Sequence, residues 1–211
     1  MNKQTVDFYN ENAEQYASTT LNLDVNKEIV NFLNGIPFAG KILDAGCGSG
    51  RDLKTFTSLG YNAIGIDASE ELVKIATKNS GAPVHCKGFL DVDWKDEFDG
   101  IWCMASLLHL NKVELKESLE KLGEAMKSKA KFYASFKVGE GEKYDDKGRF
   151  FSYVNKQELE EIFQSVNKFK DIKVEFGNDD KLGRVDTQWI NVYAISNKPA
   201  PEPKVRTRFK P

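Results

Sequence analysis

A single run, LDAGCGSGRD at positions 43–52, constrains this chain more than any other feature. It joins an apolar stretch to an amphipathic one and places Gly46, Gly48 and Gly50 between them. Glycine reaches backbone conformations closed to other residues, so such a loop lets the main chain approach a ligand while strand and helix stay packed. A dinucleotide fingerprint, GxGxxG, would need its third glycine at position 51, which is Arg51. Asp44, at the loop entry, would repel a pyrophosphate and suits a cationic ligand. A second acid, Asp67, ends the next apolar run, NAIGID (62–67), where its carboxylate can accept hydrogen bonds from two ribose hydroxyls. Nicotinamide-binding folds also carry an acid there, so Asp67 alone does not discriminate. The loop spacing together with Asp44 does.

The rest of the chain supplies the alternation of short apolar runs and amphipathic stretches that a parallel sheet covered by helices requires. Helices are expected over 5–18, 26–34, 51–58, 69–79, 110–126 and 155–166, and strands over 41–46, 62–67, 83–86, 98–104 and 131–136. Two alternating segments, 171–176 and 188–196, have no helix between them and are expected to pair antiparallel. With 211 residues, 40% of them hydrophobic, the chain suits one domain with a sizeable core. No apolar run approaches the roughly 18–20 residues of a membrane span, and the polar start MNKQTVDFYNENAEQY has no signal-peptide character. Thirty basic against 32 acidic side chains leave no global nucleic-acid footprint. Three cysteines without a CxxC pair and only two histidines make no structural zinc site, and a reducing cytoplasm fits this usage. The proline-rich basic end, from Asn197 onward, is expected to be disordered, either simply solvated or an arm for RNA or an acidic partner.

At its motifs the chain resembles the class I S-adenosylmethionine-dependent methyltransferases. DAGCGSG is similar to that family's first motif, GIDAS to its second and FDGIWCMASLLHL to its fourth. YNENAEQYAS, the Arg-Asp pair after the loop, LLHL and GRVDTQWINVYA resemble the branch of tellurite-resistance and small-molecule methyltransferases. The resemblance spans roughly residues 5–197 and implies a Rossmann-like α/β sheet of seven strands, ordered 3-2-1-4-5-7-6 with strand 7 antiparallel. It implies a domain over 1–197 with an N-terminal helical lid, followed by the tail 198–211. The implied cofactor is S-adenosylmethionine, with S-adenosylhomocysteine as product and no metal. By resemblance, the backbone of Gly46, Cys47, Gly48 and Gly50 meets the methionine part, Asp44 attracts its ammonium and Arg51 neutralises its carboxylate. Asp67 holds the ribose, Ala68 borders the adenine, and Phe89 and Leu90 flank its other face. Cys103, Met104 and Ala105 line the methionine portion and the methyl-transfer channel, while Tyr9 and Tyr16 close over the cofactor. One departure stands out: Phe89 occupies a position where many relatives carry an acid that reads the adenine amino group, which leaves that task to backbone or to Asp91.

Several residues keep two readings. His109 is either a general base at the pocket edge or a packing residue at a helix start. Tyr9 and Tyr16, seven apart on one helical face, fit a lid or simple packing. Trp189 alternates with Asn191 and Tyr193 opposite the apolar face of Ile190, Val192 and Ala194, and is either a substrate wall or a packing residue. The segment 137–153 is too long for an ordinary connection of roughly 4–6 residues, and its Lys137 and Arg149 are either an anion clamp or part of a solvated charged loop. Of the two candidate lids, the tyrosine helix has the apolar surface to close with; the loop has hinge glycines but little such surface. The expected activity is methylation of a small molecule by in-line displacement. RNA or protein methylation, or cofactor binding without turnover, are the alternatives, and a basic tail is the only element that favours RNA.

Overall fold

The structure, a computed structural model, describes residues 2–177 and 187–200. The GRVD part of the closing motif and most of the proline-rich tail lie outside the described residues.

Seven strands form one twisted sheet: β1 (Lys41–Ala45), β2 (Asn62–Asp67), β3 (Val84–Cys86), β4 (Phe98–Cys103), β5 (Met126–Lys137), β8 (Phe169–Gly177) and β9 (Trp189–Ser196). Two further strands, β6 (Glu142–Tyr144) and β7 (Phe150–Ser152), pair only with each other, as a hairpin inside the long 137–153 loop. With them counted, the sheet order is β3-β2-β1-β4-β5-β9-β8, so the expected numbering 3-2-1-4-5-7-6 needs correcting for a hairpin that sequence alternation did not reveal. β1 to β5 run parallel, and β9 inserts antiparallel between β5 and β8.

Seven helices accompany the sheet among the described residues: α1 (Lys3–Glu11), α2 (Ala13–Thr20), α3 (Asn26–Leu33), α4 (Arg51–Ser58), α5 (Glu70–Ser80), α6 (Lys112–Ala125) and α7 (Lys156–Val166). Short polar caps start four of them: Asn2, Ser69, Asn111 and Asn155 each accept a hydrogen bond from an amide of the first turn. The N-terminal stretch expected as one helix is two. Asn12 breaks it, with φ −116° and its side-chain amide donating to the Phe8 carbonyl at 2.8 Å. Asn197 and Lys198, the first residues of the tail expected to be disordered, are anchored. The Asn197 amide donates to the Lys168 carbonyl at 2.8 Å, and Lys198 Nζ reaches Asp96 Oδ1 at 2.6 Å and the Glu124 carbonyl at 2.7 Å.

Period-two alternation divides the strand side chains between two cores. On one face Leu43, Ile101, Phe132, Phe136, Val192 and Ala194 pack against α6 and α7; on the other Ile42, Trp102 and Tyr133 pack against Phe32 of α3 and Phe56 of α4. Trp102 is fully buried and stacks on Tyr133 with ring centroids 4.0 Å apart. Strand order reverses at β1, whose neighbours are β2 on one side and β4 on the other. A sheet of this kind opens a crevice beyond the carboxyl ends of the strands at that switch point, and the glycine loop leaves β1 into it.

Gly50 ends the loop in the left-handed region, with φ 79°, and a Cβ there would stand 2.8 Å from the Ala76 Cα of α5. Both strain and overlap oppose any side chain. Gly50→Ala should therefore cost about 2–4 kcal/mol of stability, measured by urea denaturation; an unchanged midpoint would show that α4 and α5 part easily.

Candidate active site

The loop is held through its own backbone amides. The amides of Gly46 and Cys47 both donate to the Ile66 carbonyl, at 2.8 and 2.9 Å, and the Gly48 amide donates to Asp67 Oδ2 at 2.9 Å. The other oxygen of Asp67 accepts from the Ser69 amide at 2.9 Å. Burial pushes the Asp67 carboxyl above its usual range, and the backbone amides of Ser69, Gly48 and Ala68 counter that rise. Gly46 and Gly48 have φ of 77° and 54°; a Cβ on Gly48 would stand 3.2 Å from Tyr16 Cε1.

A narrow cleft of about 40 Å³ lies over this loop, and it brings together Tyr9, Tyr16, Gly46, Gly48, Asp67, Ala68, Phe89, Ala105 and His109. Lys87, Gly88 and Ser106 line it too, residues that no spacing in the sequence singled out. Tyr9, Tyr16, Ala105 and His109 also border a second cavity of about 320 Å³, which adds Arg51 and Met104 from the expected set and Lys137, Arg149 and Trp189 from those with two readings. Asp44, Cys47, Gly50, Leu90 and Cys103 line neither space. Cys47 packs beneath the loop, with Sγ 2.9 Å from where a Cβ on Gly65 would be, and Cys103 is fully buried; burial holds both thiols well above the usual range. Asp44 is 2% exposed, its Oδ2 has no hydrogen-bond partner, and burial followed by the nearby Asp52 charge pushes its carboxyl well up.

Arg51 is already engaged. Its Nε and Nη2 bind the two oxygens of Asp52 at 2.6 and 2.8 Å, and Asp52 also accepts from the Trp102 indole at 2.9 Å. Ala105 follows β4 with φ 50°, a left-handed conformation that costs a non-glycine residue roughly 1–3 kcal/mol and persists only where surroundings enforce it. Its amide donates to Ser135 Oγ at 2.8 Å, and the Ser106 hydroxyl donates to the Ala45 carbonyl at 2.8 Å. These two bonds set the floor where the cleft and the cavity meet.

The roof is a hydrogen-bonded chain. His109 is 5% exposed, with Nδ1 2.7 Å from the Phe150 carbonyl and Nε2 2.9 Å from the Tyr9 hydroxyl. A carbonyl only accepts, so Nδ1 carries the proton and Nε2 accepts from Tyr9. Burial lowers the His109 pKa to about 4, with Arg149 and Lys137 adding to the effect, so the ring is neutral at physiological pH. Burial raises the Tyr9 phenol, and the Arg149 charge partly opposes it. The Phe150 amide in turn donates to the buried Thr5 hydroxyl of α1 at 2.9 Å, and Asn2 Nδ2 donates to the Tyr144 hydroxyl at 2.6 Å. The two candidate lids, α1 and the 137–153 loop, are therefore bonded to each other as one cover. Tyr9 and Tyr16 meet edge to face beneath it, ring centroids 5.2 Å apart, from separate helices.

Residues 42–129 match a family model described as a methyltransferase domain. No curated protein matches the chain by sequence. Among solved structures, the chain is similar to the 1,6-didemethyltoxoflavin-N1-methyltransferase of Burkholderia thailandensis, with its substrate and S-adenosylhomocysteine bound: TM-score 0.72, 16% identity, 92% of this chain and 85% of that one covered. It is similar to the magnesium protoporphyrin IX methyltransferase of Synechocystis PCC 6803 with bound S-adenosylmethionine, at TM-score 0.68 and 16% identity over 93% and 98% of the two chains. It is also similar to the cyclase SpnF, at TM-score 0.63 and 16% identity over 91% and 81%. The chain thus has the Rossmann-like α/β fold of these proteins, and its residues 42–129 carry the sequence signature of a methyltransferase domain.

Proposed function

We propose that the protein is an S-adenosylmethionine-dependent methyltransferase acting on a small-molecule acceptor, in keeping with the finer resemblance to the small-molecule and tellurite-resistance branch. One observation carries the reading: a bare-backbone loop and a carboxylate, Asp67, face a cleft that opens past Tyr9, Tyr16, Ala105 and His109 into a second cavity. A fold shared with a cyclase does not select a reaction; the loop chemistry and the methyltransferase-domain match favour methyl transfer.

The residues fit the cofactor on two counts. A Cβ at Gly46 would stand 2.4 Å from Ser106 Cβ and one at Gly48 3.2 Å from Tyr16 Cε1, both on left-handed backbone, so the loop itself meets the cleft with main chain. Asp44 keeps an unpartnered carboxylate oxygen beneath the loop, which suits a neighbouring cation. Bound there, S-adenosylmethionine would supply a methyl group activated by its positively charged sulfur. The protein's own work is alignment and exclusion of water. Asp67 accepts from the ribose, Ala68 and Phe89 border the adenine with Leu90 behind them, and the loop backbone meets the methionine end. Ala105 and Met104 line the path to the second cavity. Cys47, Gly50 and Cys103 support these surfaces from beneath. Arg51, neutralised by Asp52, contributes shape and hydrogen bonding more than net charge. His109 positions Tyr9 and presents no protonated imidazole to the site at neutral pH.

A cleft of about 40 Å³ is far below the roughly 300 Å³ at which small-molecule sites begin, so the cover must move to admit a cofactor. Because the hairpin is bonded to α1, both should move together. Hydrogen exchange with and without S-adenosylhomocysteine should show residues 2–20 and 142–152 gaining protection in step; a change confined to either segment would dissociate them. Asp67→Ala should weaken S-adenosylhomocysteine binding at least about tenfold, because it removes the ribose acceptor, where hydrogen bonds to a charged group contribute about 1.5–3 kcal/mol each, and also releases the Gly48 amide of the loop. Calorimetry giving an unchanged Kd would place the ribose elsewhere. His109 has a pKa of about 4 when folded against 6.5 ordinarily. Protonation therefore favours the unfolded chain, and stability falls as pH drops through that window. His109→Gln should remove up to one proton's share of this slope, read from urea midpoints at about pH 7.5 and about pH 5.

A further inference from the structure

We propose that Asn191 selects the methyl acceptor by donating a hydrogen bond to it, so that the second cavity takes an aromatic molecule carrying a carbonyl-type oxygen; this rests on the methyl-transfer reading above. Asn191 sits on the cavity wall formed by β5 and β9, where antiparallel register sets it opposite Ser135 and diagonal to Tyr133. An amide side chain can offer a cavity either its carbonyl or its NH2, and the two select opposite ligands. Here the choice is made inside the wall.

The order of donors and acceptors starts from a group that can only donate. The Ala105 amide, where the cleft and the cavity meet, donates to Ser135 Oγ at 2.8 Å. Burial, followed by the Tyr193 and Glu28 charges, pushes the Tyr133 phenol well up, with a hydrogen bond from Ser135 opposing, so Tyr133 keeps its proton. It gives that proton to Asn191 Oδ1 at 3.0 Å. Each member thus accepts from the one before, and Asn191 is left with its Nδ2 protons to donate. Glu175, opposite Asn191 on β8, is paired with Lys173 Nζ at 2.5 Å. Gly177, which also lines the cavity, gives the amide its room, since a Cβ there would stand 2.8 Å from Nδ2. A ligand meeting this wall gains a hydrogen bond by presenting lone pairs, whereas one presenting N–H or O–H leaves the amide unsatisfied. The rings of Tyr16, Phe151 and Trp189 border the same space and suit a planar body on that ligand.

The test uses the full chain and two probes of one shape, acetophenone and α-methylstyrene, which exchange C=O for C=CH2, followed by ligand-observed NMR. Acetophenone should bind about fivefold more tightly, against the order of the two hydrophobicities. Tyr133→Phe frees Asn191 Oδ1, the amide can then turn, and the preference should fall below about twofold. Asn191→Leu, which removes the donor at similar volume, should abolish it. If Asn191→Leu weakens both probes alike, Tyr133→Phe decides, because it keeps the buried ring; a preference that survives it overturns the proposal. Equal binding of the probes, tighter α-methylstyrene, or no acetophenone binding at millimolar concentration would also overturn it. S-adenosylhomocysteine titrated in parallel separates the two readings: if it binds while the probes are indistinguishable, the role of Asn191 alone fails. If it does not bind while the preference for acetophenone holds, the cofactor reading fails and the donor wall stands.

Discussion

Everything at the site depends on where three consecutive amides point. Gly46 and Cys47 share the Ile66 carbonyl and Gly48 takes Asp67, so the turn out of β1 is tied to the end of β2 and not to its own helix. Two strands that pair in parallel are thereby locked together at their carboxyl ends. The glycines are needed because the backbone is left-handed at Gly46 and Gly48, on either side of Cys47. Asp67 does double duty in this arrangement: its carboxylate holds the loop and faces the cleft, so the loop and the ligand-facing acid cannot shift independently.

Much of this was legible in the sequence, for a physical reason. Buried parallel strands are short apolar runs and their helices are amphipathic, so KILDAG, NAIGID and FDGIWCM announce themselves, and the loop is defined by glycine spacing. What was not legible depends on partners distant in the chain. The β6–β7 hairpin has no alternation of its own; it is held by Thr5 and Asn2 from the opposite end of the protein. Asn12 reads as an acceptable helix residue until its side chain takes the Phe8 carbonyl. β5 starts at Met126, five residues before its apolar alternation becomes regular, because pairing with Phe98 of β4 extends it.

The site divides in the same way. Residues on the glycine loop and at the end of β2 could be read from spacing. Ser135 and Asn191 could not, since each is a polar residue in a strand, and it is their cross-strand register that makes them a shared wall. Lys87 and Ser106 carry no pattern at all. Asp44, Cys47 and Cys103 lie within recognisable motifs, yet the fold turns them inward and leaves main chain to face the cleft. Motif membership and exposure to a ligand are separate properties, and only packing decides the second.

The anchoring of Lys198 has a mechanical consequence. Its bonds to Asp96 and the Glu124 carbonyl lie at the amino ends of β4 and β5, the edge of the sheet away from the cleft. Lys198 follows β9, a strand flanked on both sides, whereas α1 forms part of the cover. A pull on Lys198 would load β9 in shear between its two neighbours, whereas a pull on α1 would peel a helix. The compliant end is the one over the cleft, so tension would open the site well before it disturbed the strands that shape it.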